Sequence, residues 1–221
     1  MTQHLRRVGL IAVCCLLAFL PASCLLRTGT NPATLTYKLP TTITVPVGTL
    51  LPGTDIRYIG MTDEDANVLI GDQVAHKRKG DSLNWTGKPL DGVTVELKLR
   101  VVWYTETELR LLGTAKIVLN NVAPHATTAL AQSEVKYSGA VAYALAKGAI
   151  IPGTTITYEG QFDEGAKLGG TADYPYREEG DSIQWEGTLR PGVYARFSLR
   201  VAQFDARALR VIGTISLWLE T

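Results

Sequence analysis

Between Val93 and Trp103 the odd positions are apolar: Val93, Val95, Leu97, Leu99, Val101 and Trp103, with Glu96, Lys98 and Arg100 between them. A period of two sends alternate side chains to opposite faces of a strand. Leu109, Leu111, Ala115, Ile117 and Leu119 keep the same rhythm over the next run. The two runs predict a hairpin turning around residues 105–108. Its loop must hold an odd number of residues, because a slip by one would turn an apolar face outward. Alternation places Arg100, Arg110 and Tyr104 on the polar face. A second pair of runs, through Val193, Phe197, Leu199 and Val201 and then Leu209, Val211, Ile215 and Leu217, predicts another hairpin with Arg200, Arg210 and Phe204 facing outward.

The two hairpins belong to a longer repeat. Gly48 to Leu119 aligns with Gly148 to Leu219 at a constant offset of 100, and 25 of those 72 positions are identical. Pro52-Gly53-Thr54 recurs at 152–154, Gly80-Asp81-Ser82 at 180–182, Trp85 as Trp185, Leu99-Arg100-Val101 at 199–201 and Gly113-Thr114 at 213–214. Shorter strands are predicted around Ile43–Val45, Ile56–Tyr58 and Leu83–Trp85 and their counterparts. The Pro-Gly and Gly-Asp-Ser segments mark turns before them. No long stretch carries helical period. The fold class expected is all-β: two tandem homologous small antiparallel β-sandwich or partly open β-barrel domains, at 36–120 and 136–221. Residues 25–35 read as a tether and 121–135, lacking alternation, as a linker.

The first residues follow another pattern. Arg6 and Arg7 precede the uncharged run Val8 to Leu26, and Pro21-Ala22-Ser23-Cys24 lies near its end. A charged start, an apolar middle and small residues at the cut describe a secretory signal over residues 1–24. Leu20-Pro21-Ala22-Ser23-Cys24 resembles a bacterial lipobox, which implies acylation at Cys24; Pro21 and the following Leu25-Leu26 depart from that pattern. The 19-residue length also suits an uncleaved signal anchor, and simple secretion is a third reading. Cys14, Cys15 and Cys24 are the only cysteines, so a chain cut there holds no internal disulfide. The expected location is the bacterial cell envelope, with the membrane as a partner through lipid or helix.

Charge changes the picture little. Lys+Arg 22 against Asp+Glu 21 leaves a formal charge of +1, and the basic run Lys77-Arg78-Lys79 becomes Arg177-Glu178-Glu179 in the second copy. Nucleic acid is not an expected partner. His76 is replaced by Tyr176 and His125 lies in the linker, so no zinc or triad chemistry is expected. The recurring Asp63-Glu64 and Asp81 have no EF-hand spacing, and a glycosidase pair at 63–64 would point to opposite faces. Turn capping and pairing with Arg100 or Arg110 account for them better. A hydrolase would need acidic or hydroxyl side chains gathered in one cleft. No catalytic residue, metal or cofactor is assigned.

Aromatic placement is the one asymmetry between the copies. Trp85 and Trp185 fall on the apolar phase as core anchors. Trp218 replaces Val118 on the opposite phase, and Tyr194 replaces Thr94. With Phe204, Tyr174 and Tyr176, and the arginines Arg200 and Arg210, they form the candidate surface for a glycan or an envelope protein. Packing against the other domain is the alternative role for the same rings.

Overall fold

The computed structural model describes residues 31–128 and 133–220. The leader, Cys24 and most of the expected tether lie outside the described residues. The described chain is all-β, with antiparallel pairing throughout. The first half supplies β1 (Thr34–Pro46), β2 (Ile56–Met61), β3 (Ala66–Ile70), β4 (Gln73–Lys77), β5 (Ser82–Leu90), β6 (Val93–Tyr104) and β7 (Glu108–Asn120). The rest forms β8 (His125–Ala126), β9 (Val135–Ala146), β10 (Thr157–Phe162), β11 (Gly165–Gly169), β12 (Tyr176–Arg177), β13 (Ser182–Arg190), β14 (Val193–Phe204) and β15 (Ala208–Leu219). A large sheet of order β1-β7-β6-β5 accompanies a small one, β2-β3-β4. In the second half the large sheet runs β8-β13-β14-β15-β9 and the small one β10-β11-β12. None of the four closes into a barrel.

The offset of 100 extends to pairing. Val93 lies opposite Leu119 and Val193 opposite Leu219, and both ladders skip one residue, Val102 and Ala202. That skip is a β-bulge, and it resets the alternation. Trp103, expected in the core, is therefore 48% exposed and pairs with Arg110. Tyr104 and Phe204, expected outside, pack against the core. Period counting continued past residue 101 as if the ladder were regular, and a bulge leaves no mark in that count.

The recurring glycines at 113 and 213 mark the tightest approach in each sheet. A β-carbon on Gly113 would lie 1.9 Å from the Lys98 carbonyl oxygen, and one on Gly213 2.1 Å from that of Ser198. Tyr58 and Tyr158, both fully buried, donate their hydroxyls to the carbonyls of Thr105 and Asp205. Each phenol thus ties a small sheet to the tip of the long hairpin beside it.

One apolar cluster runs through both halves, from Leu35, Leu97 and Ile117 to Phe197, Val211 and Leu217. Contacts across the seam are reciprocal. A β-carbon on Gly153 would lie 3.2 Å from Leu35, and one on Gly53 would lie 3.4 Å from Val135. Likewise a β-carbon on Gly192 would approach Leu90 at 3.3 Å, and one on Gly92 would meet the Arg190 guanidinium. Gly139 faces Leu39, its own counterpart. Residue i touching j while j's equivalent touches i's is the pattern of an isologous, two-fold contact. β1 and β9 meet across it, where Tyr37 and Tyr143 bring together hydroxyls that lack a well-formed hydrogen bond among the described residues.

The segments read as tether and linker are partly structured. Leu35 already belongs to β1 and is buried. Asn31 donates its side-chain amide to the Thr154 carbonyl at 2.7 Å and accepts the Gly153 N–H at 2.9 Å, clamping the turn of the opposite half. The Ala123 N–H donates to the Leu189 carbonyl at 2.8 Å, and β8 pairs with β13 at Gly187 and Thr188. A two-residue strand on a sheet edge is too short to show a period. The matching edge, β5, carries Lys88 and Pro89 where β13 has Thr188 and Leu189. A charge and a missing N–H are ordinary protection for an edge left uncovered.

Two outcomes follow for stability. Gly213→Ala is expected to cost about 3 kcal/mol or more through backbone overlap, against about 1 kcal/mol for Gly48→Ala, where a β-carbon meets nothing within 4 Å and only the positive φ is penalised; urea unfolding distinguishes them. Burial raises the Tyr137 and Tyr143 phenols from 10.0 to about 12. Above pH 10 the unfolded chain releases these protons while the folded chain keeps them. Stability is therefore full below pH 10 and falls between pH 10 and about 12, by roughly 2–3 kcal/mol per phenol. Tyr143→Phe removes part of that slope in urea midpoints measured across the range.

Candidate binding surfaces

Several polar residues common to both halves are occupied by the fold. Arg100 donates to the Gly80 carbonyl at 2.8 Å and Arg200 to that of Gly180 at 2.9 Å. The Asp81 carboxylate accepts the Arg78 N–H and Asp181 that of Glu178, each at 2.8 Å, closing the turns that precede the Trp strands. Trp185 is 5% exposed, meets Phe197 edge-on at 5.8 Å and donates its indole N–H to Thr155. Trp85 is less buried and donates to Asp55. Arg110 pairs with Glu108 at 2.7 Å; Ala208 replaces that partner, and Arg210 stays on the outer face.

The structure separates the predicted site residues into distinct places. Trp218 lies on the outer face of the larger second sheet, opposite Tyr194 on β14 and Lys136 on β9. The Lys136 ammonium is 5.1 Å and the Arg196 guanidinium 5.7 Å from its ring centroid, so two cations already rest on this half-buried indole. The Tyr194 hydroxyl is 3.3 Å from the Glu220 carboxylate, whose charge raises the phenol above its usual range. All these neighbours belong to the ring's own sheet. Phe204 points into the core, and Arg200 is committed to its turn. A shallow groove of about 730 Å³ crosses the same outer face over Ala140, Ala142, Ser198 and Gly213, with Arg200 and Gln184 beside it.

Tyr174 and Tyr176 sit elsewhere, at the tip of the small sheet β10-β11-β12, and a third ring joins them. Tyr176 is central: Tyr174 lies 5.5 Å away, tilted by 53°, and Phe162 lies 6.1 Å away, nearly perpendicular. Tyr174 is 64% and Phe162 45% exposed. Lys167 stands 5.5 Å from the Phe162 centroid and is itself paired with Glu159 at 2.9 Å. Arg177 holds the loop, donating to the backbone carbonyls of Tyr174, Tyr176 and Ser182. Beside Tyr174 and Tyr176 opens a groove of about 540 Å³ bordered by Glu164, Arg177, Glu178 and Asp181. Sequence reading passed over Phe162; its signal was the replacement of Thr62 by an aromatic residue at the end of a short strand.

The first half lacks this arrangement. Thr62, Val74 and His76 stand where the three rings stand, and Arg78 binds Glu64 at 3.1 Å and Asp65 at 2.9 Å. Among the described residues no cluster of His, Cys, Asp or Glu is arranged to hold a metal ion, and no helix is long and apolar enough to cross a membrane. No family model matches this chain, and neither the curated proteins nor the solved structures yield a match.

The reversed facing of Phe204 and Trp218 is directly measurable. Phe204→Ala is expected to cost about 3 kcal/mol, as a truncation at the edge of a packed core, and Trp218→Ala about 1 kcal/mol or less. Chemical denaturation midpoints at matched m-values check the order.

Proposed function

We propose that this chain is an exported, membrane-tethered envelope protein in which two copies of one β-unit display a binding surface. The leader supports export: Arg6-Arg7, the apolar run to Leu26 and the small residues before Cys24 are the parts a signal needs. The body supports display rather than turnover, and one observation carries that reading. The arginine and aspartate shared at 100/200 and 81/181 are committed to turns, as with Arg200 on Gly180 and Asp181 on Glu178. What distinguishes the second half is a cluster of rings at one tip, with Phe162 and Tyr174 exposed on either side of Tyr176, where the first half exposes Trp103 beneath Lys79. Exposed rings carry contact energy, because they bring large area at small entropic cost.

That asymmetry also favours a more specific reading, a polysaccharide-binding accessory protein acting through its second half. Mass spectrometry of the mature N-terminus tests the tether. A diacylglyceryl group on Cys24 is the expected result, and an intact leader in the membrane fraction keeps the tether as a helix. A soluble chain cleaved before residue 31 and bearing no lipid overturns it. A glycan array tests the binding role; failure to retain any polysaccharide counts against the accessory reading.

A further inference from the structure

We propose that the tip of β10–β12 is an oligosaccharide site that stacks neutral sugar rings on Tyr174 and Phe162 and bonds their hydroxyls to Glu164 and Glu178. This deepens the polysaccharide-binding reading and rests on it. The weakly positive C–H face of a sugar settles on the electron-rich face of an aromatic ring. Hydroxyl groups around the sugar's rim then need acceptors, and an ionised carboxylate accepts with both oxygens.

The comparison between halves shows how the tip is opened. In the first half Arg78 draws in Glu64 and Asp65, so its carboxylates are spent on an internal pair. In the second half Glu178 replaces Arg78 and Gly165 replaces Asp65. Glu164 and Glu178 consequently have no hydrogen bond or ion pair to their carboxylates among the described residues, and both border the groove. The same half exchanges Thr62, Val74 and His76 for Phe162, Tyr174 and Tyr176. One set of changes thus frees Glu164, adds Glu178 and brings Tyr174 and Tyr176 to the groove, with Phe162 against the edge of Tyr176.

Size and charge select the occupant. A groove of about 540 Å³ lies within the range of small-ligand sites, and three rings are far less surface than a stable protein interface needs. Arg177 also lines the groove and keeps its charge while donating to three backbone carbonyls, but the carboxylates of Glu164, Glu178 and Asp181 outnumber it and set the sign of the groove. That field repels sulfated or uronic chains and accepts neutral ones. Through the same bonds Arg177 holds the ring-bearing loop before any ligand arrives, which lowers the entropic cost of binding. Trp218 is the more occupied stacking platform, since both Lys136 and Arg196 rest on it, whereas Phe162 has Lys167 alone beside it and Tyr174 is the most exposed of the rings.

Calorimetric titration of the purified full-length protein with chitotetraose, cellotetraose and a heparin tetrasaccharide tests the site. At least one neutral tetrasaccharide is expected to bind, and the heparin fragment is not. Tyr174→Ala and Phe162→Ala should each weaken binding about tenfold or more, whereas Tyr174→Phe should retain it. Glu178→Arg, which offers Glu164 the partner that Arg78 gives Glu64, should abolish binding with the fold intact by circular dichroism. Val74→Ala, on the other tip, should change nothing. Preference for the heparin fragment overturns the proposal, as does undiminished binding in both alanine variants. Loss on Trp218→Ala but not Tyr174→Ala moves the glycan to the sheet face and overturns this site while keeping the polysaccharide reading. Silence from all three sugars at about 10 mM overturns the site, and the glycan array then decides the broader reading independently.

Discussion

Each large sheet has one apolar face, and the two halves bury those faces in a single cluster. Leu35, Leu97 and Ile117 from one side and Phe197, Val211 and Leu217 from the other belong to the same core. A half of this size buries a smaller fraction of its surface than the whole chain does. Sharing the core raises that fraction without a disulfide. The seam is therefore the constraint on which the other features depend. It fixes where β1 and β9 meet, which turns must be held, and which faces of the sheets stay outside.

Because the seam is reciprocal, the same side chains serve twice. The Pro-Gly turn of one half meets the first strand of the other in both directions, at Gly153 with Leu35 and at Gly53 with Val135. Departures from symmetry occur at the seam as well, where Gly139 faces Leu39 and Arg190 stands where the first half has Leu90. Asn31 clamps the turn at Gly153 and Thr154, and the buried Arg190 donates to the Asn120 carbonyl. β8 covers an edge of the second sheet, while the first sheet protects the equivalent edge with Lys88 and Pro89. Positions that the seam does not use are the freest to vary between the halves. The aromatic tip of β10–β12 lies in that free region, which is why an interaction surface can differ there at little cost to stability.

The candidate surface was legible in kind more than in place. Sequence pointed to excess aromatic residues in the second half, and Tyr174 and Tyr176 do stand together in solvent. It also grouped them with Trp218, Tyr194 and Phe204, which the fold keeps apart. Residues 174 and 176 are close to 162 because β11 lies between their strands in one small sheet, a relation that requires knowing the pairing. Phe204 was misplaced by a single bulge at residue 202, which inverted the facing at the end of β14.

What the sequence by itself determined was local and periodic. Alternation set the strands from β5 to β7 and from β13 to β15, the turn residues set their ends, and the offset of 100 set the equivalence of the two stretches. These properties depend on neighbours in the chain, so one chain suffices to read them. Only the tertiary structure decided which way Trp103 and Phe204 face, that β1 and β9 meet, that residues 123–127 join a sheet edge, and that Glu164 loses the partner Glu64 keeps. Those outcomes turn on contacts between residues dozens of positions apart, where packing and register choose among arrangements that local pattern allows equally.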